Sequence, residues 1–146
     1  MKITIENIPP GGEEEIIIRM NQLSPEILSL IQALKTDRHK LNGYHPDGSF
    51  SPIHPEDIYY FETVDNKVFA YGQKDILEVK LRLYELETRL GGGDFVRISK
   101  SMILNLSKVK RFSPSFSGRF EAILLNHEKV LISRQYVPEI KNRLEL

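Results

Sequence analysis

The chain has no cysteine, so disulfides and thiolate metal sites are excluded at once. Its four histidines, His39, His45, His54 and His127, are scattered and never fall at a ligand spacing such as H-x-x-x-H, so no metal is expected. No apolar run approaches the roughly 18–20 residues that a membrane span needs. The N-terminal "MKITIENIPP" lacks the apolar core of a signal peptide. A soluble, cytoplasmic protein is expected. Asp57, Glu62 and Asp65 lie near one another, but no histidine or nucleophile stands at a recognisable spacing from them. With no catalytic constellation in view, no enzyme is expected, and neither a cofactor nor a small-molecule substrate. A helix–turn–helix is also missing: the two helical stretches at 24–36 and 80–90 show no run of exposed basic residues suited to a major groove.

Net charge is absent too, since 20 basic residues balance 20 acidic ones, but the charges are segregated. Residues 1–96 hold ten Lys/Arg and sixteen Asp/Glu, whereas residues 97–146 hold ten Lys/Arg and four Asp/Glu. Residues 95–120 contain Arg97, Lys100, Lys108, Lys110, Arg111 and Arg119 and no acid. Such asymmetry points to an anion-facing surface in the C-terminal part.

What is present suits an ordinary globular protein: 40% of the 146 residues are apolar and 27% charged. That length predicts one domain, or one with a small appendage. Residues 2–8 ("KITIENI") alternate apolar and polar, as a half-buried strand does. "PPGG" (9–12) is a turn, and "EEEIIIRM" (13–20) predicts a second strand pairing with the first. Ser24, Pro25 and Glu26 supply an N-cap, a first-turn proline and an acid at the positive end of the helix dipole. Ile27, Leu30, Ile31 and Leu34 then form an apolar stripe. Residues 36–57, polar and rich in Pro and Gly, read as a connecting segment, with Tyr44 and Phe50 marking an edge strand. An N-terminal α/β appendage is therefore expected over 1–45, with possible dimer or partner contacts, ahead of a main domain over 48–146.

From Ile58 the pattern is mostly β. "IYYFETV", the turn "DNK" and "VFAYG" make a hairpin, and "KDILEV" returns beside it. Val79, Leu83, Leu86 and Leu90 switch to helical spacing and end at "GGGD". "FVRIS", "MILNLSKVKRFSPS", "GRFEAILLN" and "KVLISR" are short strands with a hairpin turn at Asn126-His127, and "VPEIKNRLEL" is a terminal helix. The tyrosines and phenylalanines of the first hairpin (Tyr59, Tyr60, Phe61, Phe69 and Tyr71) sit at strand spacing and read as core and rim, not as a platform for single-stranded bases.

These motifs, "IYYFETVDNKVFAY", "LRLYELETRL", "FVRISKSMILN" and "VLISRQY" followed by a helix, occur in the order and at the separations of the LytTR-type DNA-binding domain, which residues 48–146 resemble. The whole chain resembles the stand-alone bacterial LytTR regulators that lack a phosphoryl-receiver domain. The resemblance implies a mainly β protein, α+β overall: an antiparallel β domain with short helices. It implies a sequence-specific regulator that inserts loops into successive major grooves of double-stranded DNA as a homodimer. It further implies a membrane-bound regulatory partner.

Carried over residue by residue, the resemblance implies base contacts from Lys100, from Arg134, and from the turn at Asn66 and Lys67. The residue before Lys100, commonly a histidine in the family, is Ser99 here. Arg97, Ser99 and Ser101 turn away from the buried face of their strand and, with Lys108, Lys110, Arg111 and Arg119, are expected to meet phosphates. Asn105 matches an asparagine expected to cap the following turn. The alternative is a protein-interaction module with the same fold and little affinity for DNA. The acid-free stretch from 95 to 120 favours DNA.

Overall fold

The computed structural model describes residues 2–35, 41–91 and 93–146. The chain divides into two compact units, Met1–Thr36 and Asp37–Leu146.

Among the described residues of the first unit one element forms, the helix α1 (Pro25–Lys35). The Ser24 hydroxyl accepts the Ile27 amide at 3.2 Å, as the expected N-cap does. The strands expected over 2–8 and 13–20 do not form. Their connecting turn is closed by the Gly12 amide donating to the Pro9 carbonyl at 3.0 Å. Pro10 then takes the second position, and Gly11 takes the third at φ +86°. That is the type II arrangement, whose backbone twist splays the chains it joins.

The described residues of the second unit hold ten strands in two antiparallel sheets: β1 (Leu41–Tyr44), β2 (Phe50–Ile53), β3 (Tyr60–Val64), β4 (Lys67–Tyr71), β5 (Ile76–Val79), β6 (Phe95–Ser99), β7 (Met102–Asn105), β8 (Val109–Pro114), β9 (Phe120–Leu124) and β10 (Lys129–Ile132). The seven-stranded sheet runs β2-β1-β5-β4-β3-β7-β6, and the three-stranded sheet runs β10-β9-β8. Helix α2 (Leu83–Arg89) precedes β6, and α3 (Val137–Arg143) follows β10.

Over residues 41–53 the expected connecting segment is the hairpin β1–β2, with Tyr44 and Phe50 in strands and β2 at the edge, as those aromatics suggested; it pairs with the rest of the sheet at Tyr44 and Glu78. Its polar, Gly-rich sequence hides a packing requirement. A Cβ at Gly43 would lie 2.6 Å from Leu77 Cδ1, so glycine permits the close approach. Residues 36–40 of that segment lie outside the described residues. Helix α2 starts at Leu83, later than its spacing predicts, because Val79 is spent on β5, where it pairs with Val68. The Glu85 carboxylate reaches back to the Arg82 amide at 3.2 Å and closes the helix start.

Alternation along β3 and β7 builds two cores on opposite faces of the large sheet. Phe61 and Ile103, paired across the strands, join Val68, Ala70 and Val79 under Leu83, Leu86 and Leu90 of the α2 region. Tyr60 and Leu104, the next pair, join Val96 and Ile98 of β6 with Ala122, Leu124, Ile132 and Ile140 of the small sheet and α3. Tyr59, Tyr60 and Phe61 are buried, and Phe69 and Tyr71 are half-buried, as core and rim require.

Asn105 is the buried polar side chain among the described residues. Its amide donates to the Ile58 carbonyl at 2.8 Å, and its carbonyl oxygen accepts the Ser107 amide at 3.0 Å and hydroxyl at 2.7 Å. It therefore caps the turn Leu106–Lys108 and pins the start of β3. Replacement by alanine leaves the Ile58 carbonyl without this donor. Asn105→Ala is expected to lower the unfolding free energy by about 1–3 kcal/mol, measured by urea denaturation.

Candidate nucleic-acid interface

Four turns of the second unit meet at one end of it. Asp65 and Asn66 join β3 to β4 with φ of 51° and 63°, a two-residue turn with both residues left-handed. Lys100 and Ser101 join β6 to β7. The two turns are tied together, because the Thr63 amide donates to the Ser101 carbonyl at 2.8 Å. The chain leaving β10 joins them through the Ser133 amide, which donates to the Ile98 carbonyl at 2.9 Å. Arg134 follows immediately. The β8–β9 connection completes the group: a Cβ at Gly118 would lie 3.2 Å from Arg134 Cδ, and Gly118 has φ +74°. A side chain there would be strained and would displace the arginine stem. The structure thus gathers Asn66, Lys67, Lys100, Arg119 and Arg134, which lie far apart in sequence, and all five are exposed.

Local features aim these groups. Lys100 occupies the loop tip expected from the break in alternation. The register of β6 on β7 shifts between Arg97 and Ser99, a bulge that re-aims the turn. The Ser99 hydroxyl accepts the Ser101 amide at 3.2 Å. Arg97 Nε donates to Glu87 at 2.9 Å, Arg97 Nη2 pairs with the same carboxylate at 2.9 Å, and Arg97 Nη1 donates to the Lys100 carbonyl at 2.8 Å. Arg97 therefore braces the Lys100 turn against α2. The brace from Glu87 was not anticipated in the sequence, where no local signal marks a contact from a helix to the next strand.

Arg134 does not pair with Glu139, which lies 3.6 Å from Arg143 instead. Its guanidinium makes no hydrogen bond or ion pair with any described residue. In β8 the register shifts between Val109 and Arg111, so Lys110 is the extra residue and Lys110 and Arg111 are both exposed. Lys108 is separate from the four turns. Its ammonium lies 5.4 Å from the ring centroid of Tyr59, beside the start of β3. Phe116, 89% exposed in the β8–β9 connection, is an aromatic at this end that the sequence reading passed over.

Tyr60 of β3 and its cross-strand partner Tyr71 of β4 hold their hydroxyl protons more tightly than usual. Burial, reinforced by the Glu128 carboxylate that accepts its hydroxyl at 2.9 Å, pushes Tyr60 well above its ordinary value. Burial and Glu62 raise Tyr71 in the same direction. Among the described residues no cluster of His, Asp and Glu has the geometry to hold a metal. No helix among the described residues is long and apolar enough to cross a membrane.

The chain is similar to several known proteins. Over 94 residues the chain is 31% identical to the sensory transduction protein LytT of Enterococcus faecalis, covering 64% of this chain and 39% of that protein. It is 32% identical over 136 residues to an uncharacterized HTH-type transcriptional regulator of Staphylococcus aureus, covering 92% of this chain and 91% of that protein. Its fold matches a solved LytTr DNA-binding domain of a putative methyl-accepting/DNA response regulator from Bacillus cereus with a TM-score of 0.69, at 24% identity, over 74% of this chain and 98% of that one. Although the staphylococcal relative is named for a helix–turn–helix, no two described α-helices here are consecutive elements. Residues 48–145 match the family described as the LytTr DNA-binding domain, and the chain belongs to that family.

Proposed function

We propose that this protein is a sequence-specific transcriptional regulator that binds duplex DNA through the turns of its β domain. The observation that carries the reading is the convergence of Lys100, Arg134 and the Asn66–Lys67 turn at one end, with side chains free to leave the protein surface. Arg134 presents a five-donor fork suited to guanine O6 and N7, Lys100 a point donor to the same edge, and Asn66 an amide suited to adenine. Loops of this kind enter successive major grooves. Lys110, Arg111 and Arg119 meet phosphates and set the register without reading bases. Arg97, Ser99 and Ser101 shape the turn that carries Lys100. A homodimer on two half-sites follows the usual match of protein and operator symmetry.

The test is a binding selection from random duplex DNA. An enriched motif supports the reading; a folded protein that enriches nothing sinks it in favour of a protein-interaction module. The phosphate role has its own signature. Lys110→Ala is expected to weaken binding equally on cognate and random duplexes. It should also shallow the slope of log K against log[salt] by about one. An unchanged slope in a fluorescence anisotropy titration would remove Lys110 from the contact set.

A further inference from the structure

Residues 2–20 carry strand sequence without strand structure, and their isoleucines face solvent: Ile3, Ile5, Ile16 and Ile17 are 82%, 88%, 71% and 63% exposed. The Gly12-to-Pro9 turn bond sets the register in which the two segments oppose each other. Counting back from the turn, Glu6 faces Glu15, Thr4 faces Ile17 and Lys2 faces Arg19. The side chains agree with this count. Away from the turn, Lys2, Thr4, Glu6, Ile17 and Arg19 line one open cleft and Ile16 and Ile18 another with Ile31 and Leu34 of α1; nearer the turn, Asn7 and Ile8 line the first cleft too, and Glu14 and Glu15 border both. In this register an acid meets an acid and a base meets a base, and like charges directly opposite weaken a strand pair. The splayed type II turn adds to the mismatch. The chain alone thus gives these strands a poor ladder.

A second copy reverses the signs. When 14–20 pairs antiparallel with the same segment of another chain, centred on Ile17, Glu15 falls opposite Arg19 of the second copy. Ile16 falls opposite Ile18, and Ile17 opposite its own equivalent. Across the four strands the polar rows read Lys2, Arg19, Glu15, Glu6, so each like-charged pair lies beside an oppositely charged one. The apolar face above α1 becomes continuous between the copies, and the open edge is covered. We propose that two copies of this chain associate through antiparallel pairing of residues 14–20. The contact supplies the homodimer invoked in the proposed function and rests on that reading for its purpose, but its test needs no DNA.

The full-length protein is examined by sedimentation velocity. Wild type is expected to be dimeric, and Glu15→Arg or Arg19→Glu alone to weaken association by at least about tenfold. The double variant should restore it. Glu15→Arg relieves the repulsion from Glu6 within the chain, so its loss of dimer cannot come from a less stable hairpin. The cysteine-free chain allows a second readout. Ile17→Cys should form a disulfide-linked dimer under mild oxidation, because directly opposed strand residues meet disulfide geometry. Thr4→Cys, one strand removed, should not. A wild type that stays monomeric at roughly 100 μM overturns the proposal. So does an Ile17→Cys protein that stays uncrosslinked, or crosslinking at Thr4→Cys in its place. Arg134→Ala should remain dimeric, which separates failure of this contact from failure of DNA recognition.

Discussion

In a selection from random duplex DNA, the wild type is expected to return two similar half-sites about one helical turn apart, and the Lys100→Ala/Arg134→Ala variant to return none. Arg134 has the stronger claim to base reading. Its stem lies in the notch left by Gly118, and its guanidinium has no protein partner among the described residues. On the selected site Arg134→Ala should cost about 1–3 kcal/mol, and base preference at one position should relax. Lys100→Ala should act separately, because the two side chains stand on different turns, and the losses should roughly add. Anisotropy titrations on selected and scrambled duplexes check this. Equal losses on both would mean that these residues only hold phosphate. Because both side chains are exposed, neither substitution should lower stability appreciably, so lost binding would not be lost folding.

Leu86→Ala is expected to lower the unfolding free energy by about 2–5 kcal/mol, the largest stability effect among the substitutions proposed. Leu86 is fully buried, at 0% exposure, beneath α2 and against the sheet face that carries Phe61. Helix α2 has seven residues, too few to persist without its packed face. The same helix carries Glu87, which holds Arg97 and through it the Lys100 carbonyl. Urea denaturation should therefore show a lower midpoint with little change in slope. Below the unfolding transition, DNA affinity should fall further than the unfolded fraction explains, because the Lys100 turn loses its brace. Affinity that tracks only the folded fraction would show that α2 supports stability alone.

Much of the molecule was legible from residue order because its signals are local. Period-two runs located the strands from Ile58 onward, the "DNK" turn marked the first hairpin, and the break at "ISKSM" put Lys100 at a tip. Asn105 announced its cap, since an asparagine bonds its own backbone two residues on. Elsewhere the local signal misled. Residues 2–8 alternate and residues 13–20 carry a three-isoleucine run, yet no strand forms, because a strand exists only with a partner and pairing energies depend on what lies opposite. Residues 41–53 failed in the other direction: Pro and Gly suggested a linker, but an adjacent sheet edge and the Gly43 contact made a hairpin of it.

By itself, then, the sequence determined the β character of the second unit, the acid-free basic stretch and the identity of the donors available to DNA. The tertiary structure alone decided which donors stand together. Thr63 bonds to Ser101, Ser133 bonds to Ile98, and Gly118 makes room for Arg134. Each joins residues from separate strands, and the order of strands in a sheet is set by long-range packing on both its faces. The same packing set Lys108 apart over Tyr59 and turned Arg97 inward to Glu87. A basic residue's charge is a property of its side chain, whereas its freedom to leave the protein surface depends on the neighbours that folding brings to it.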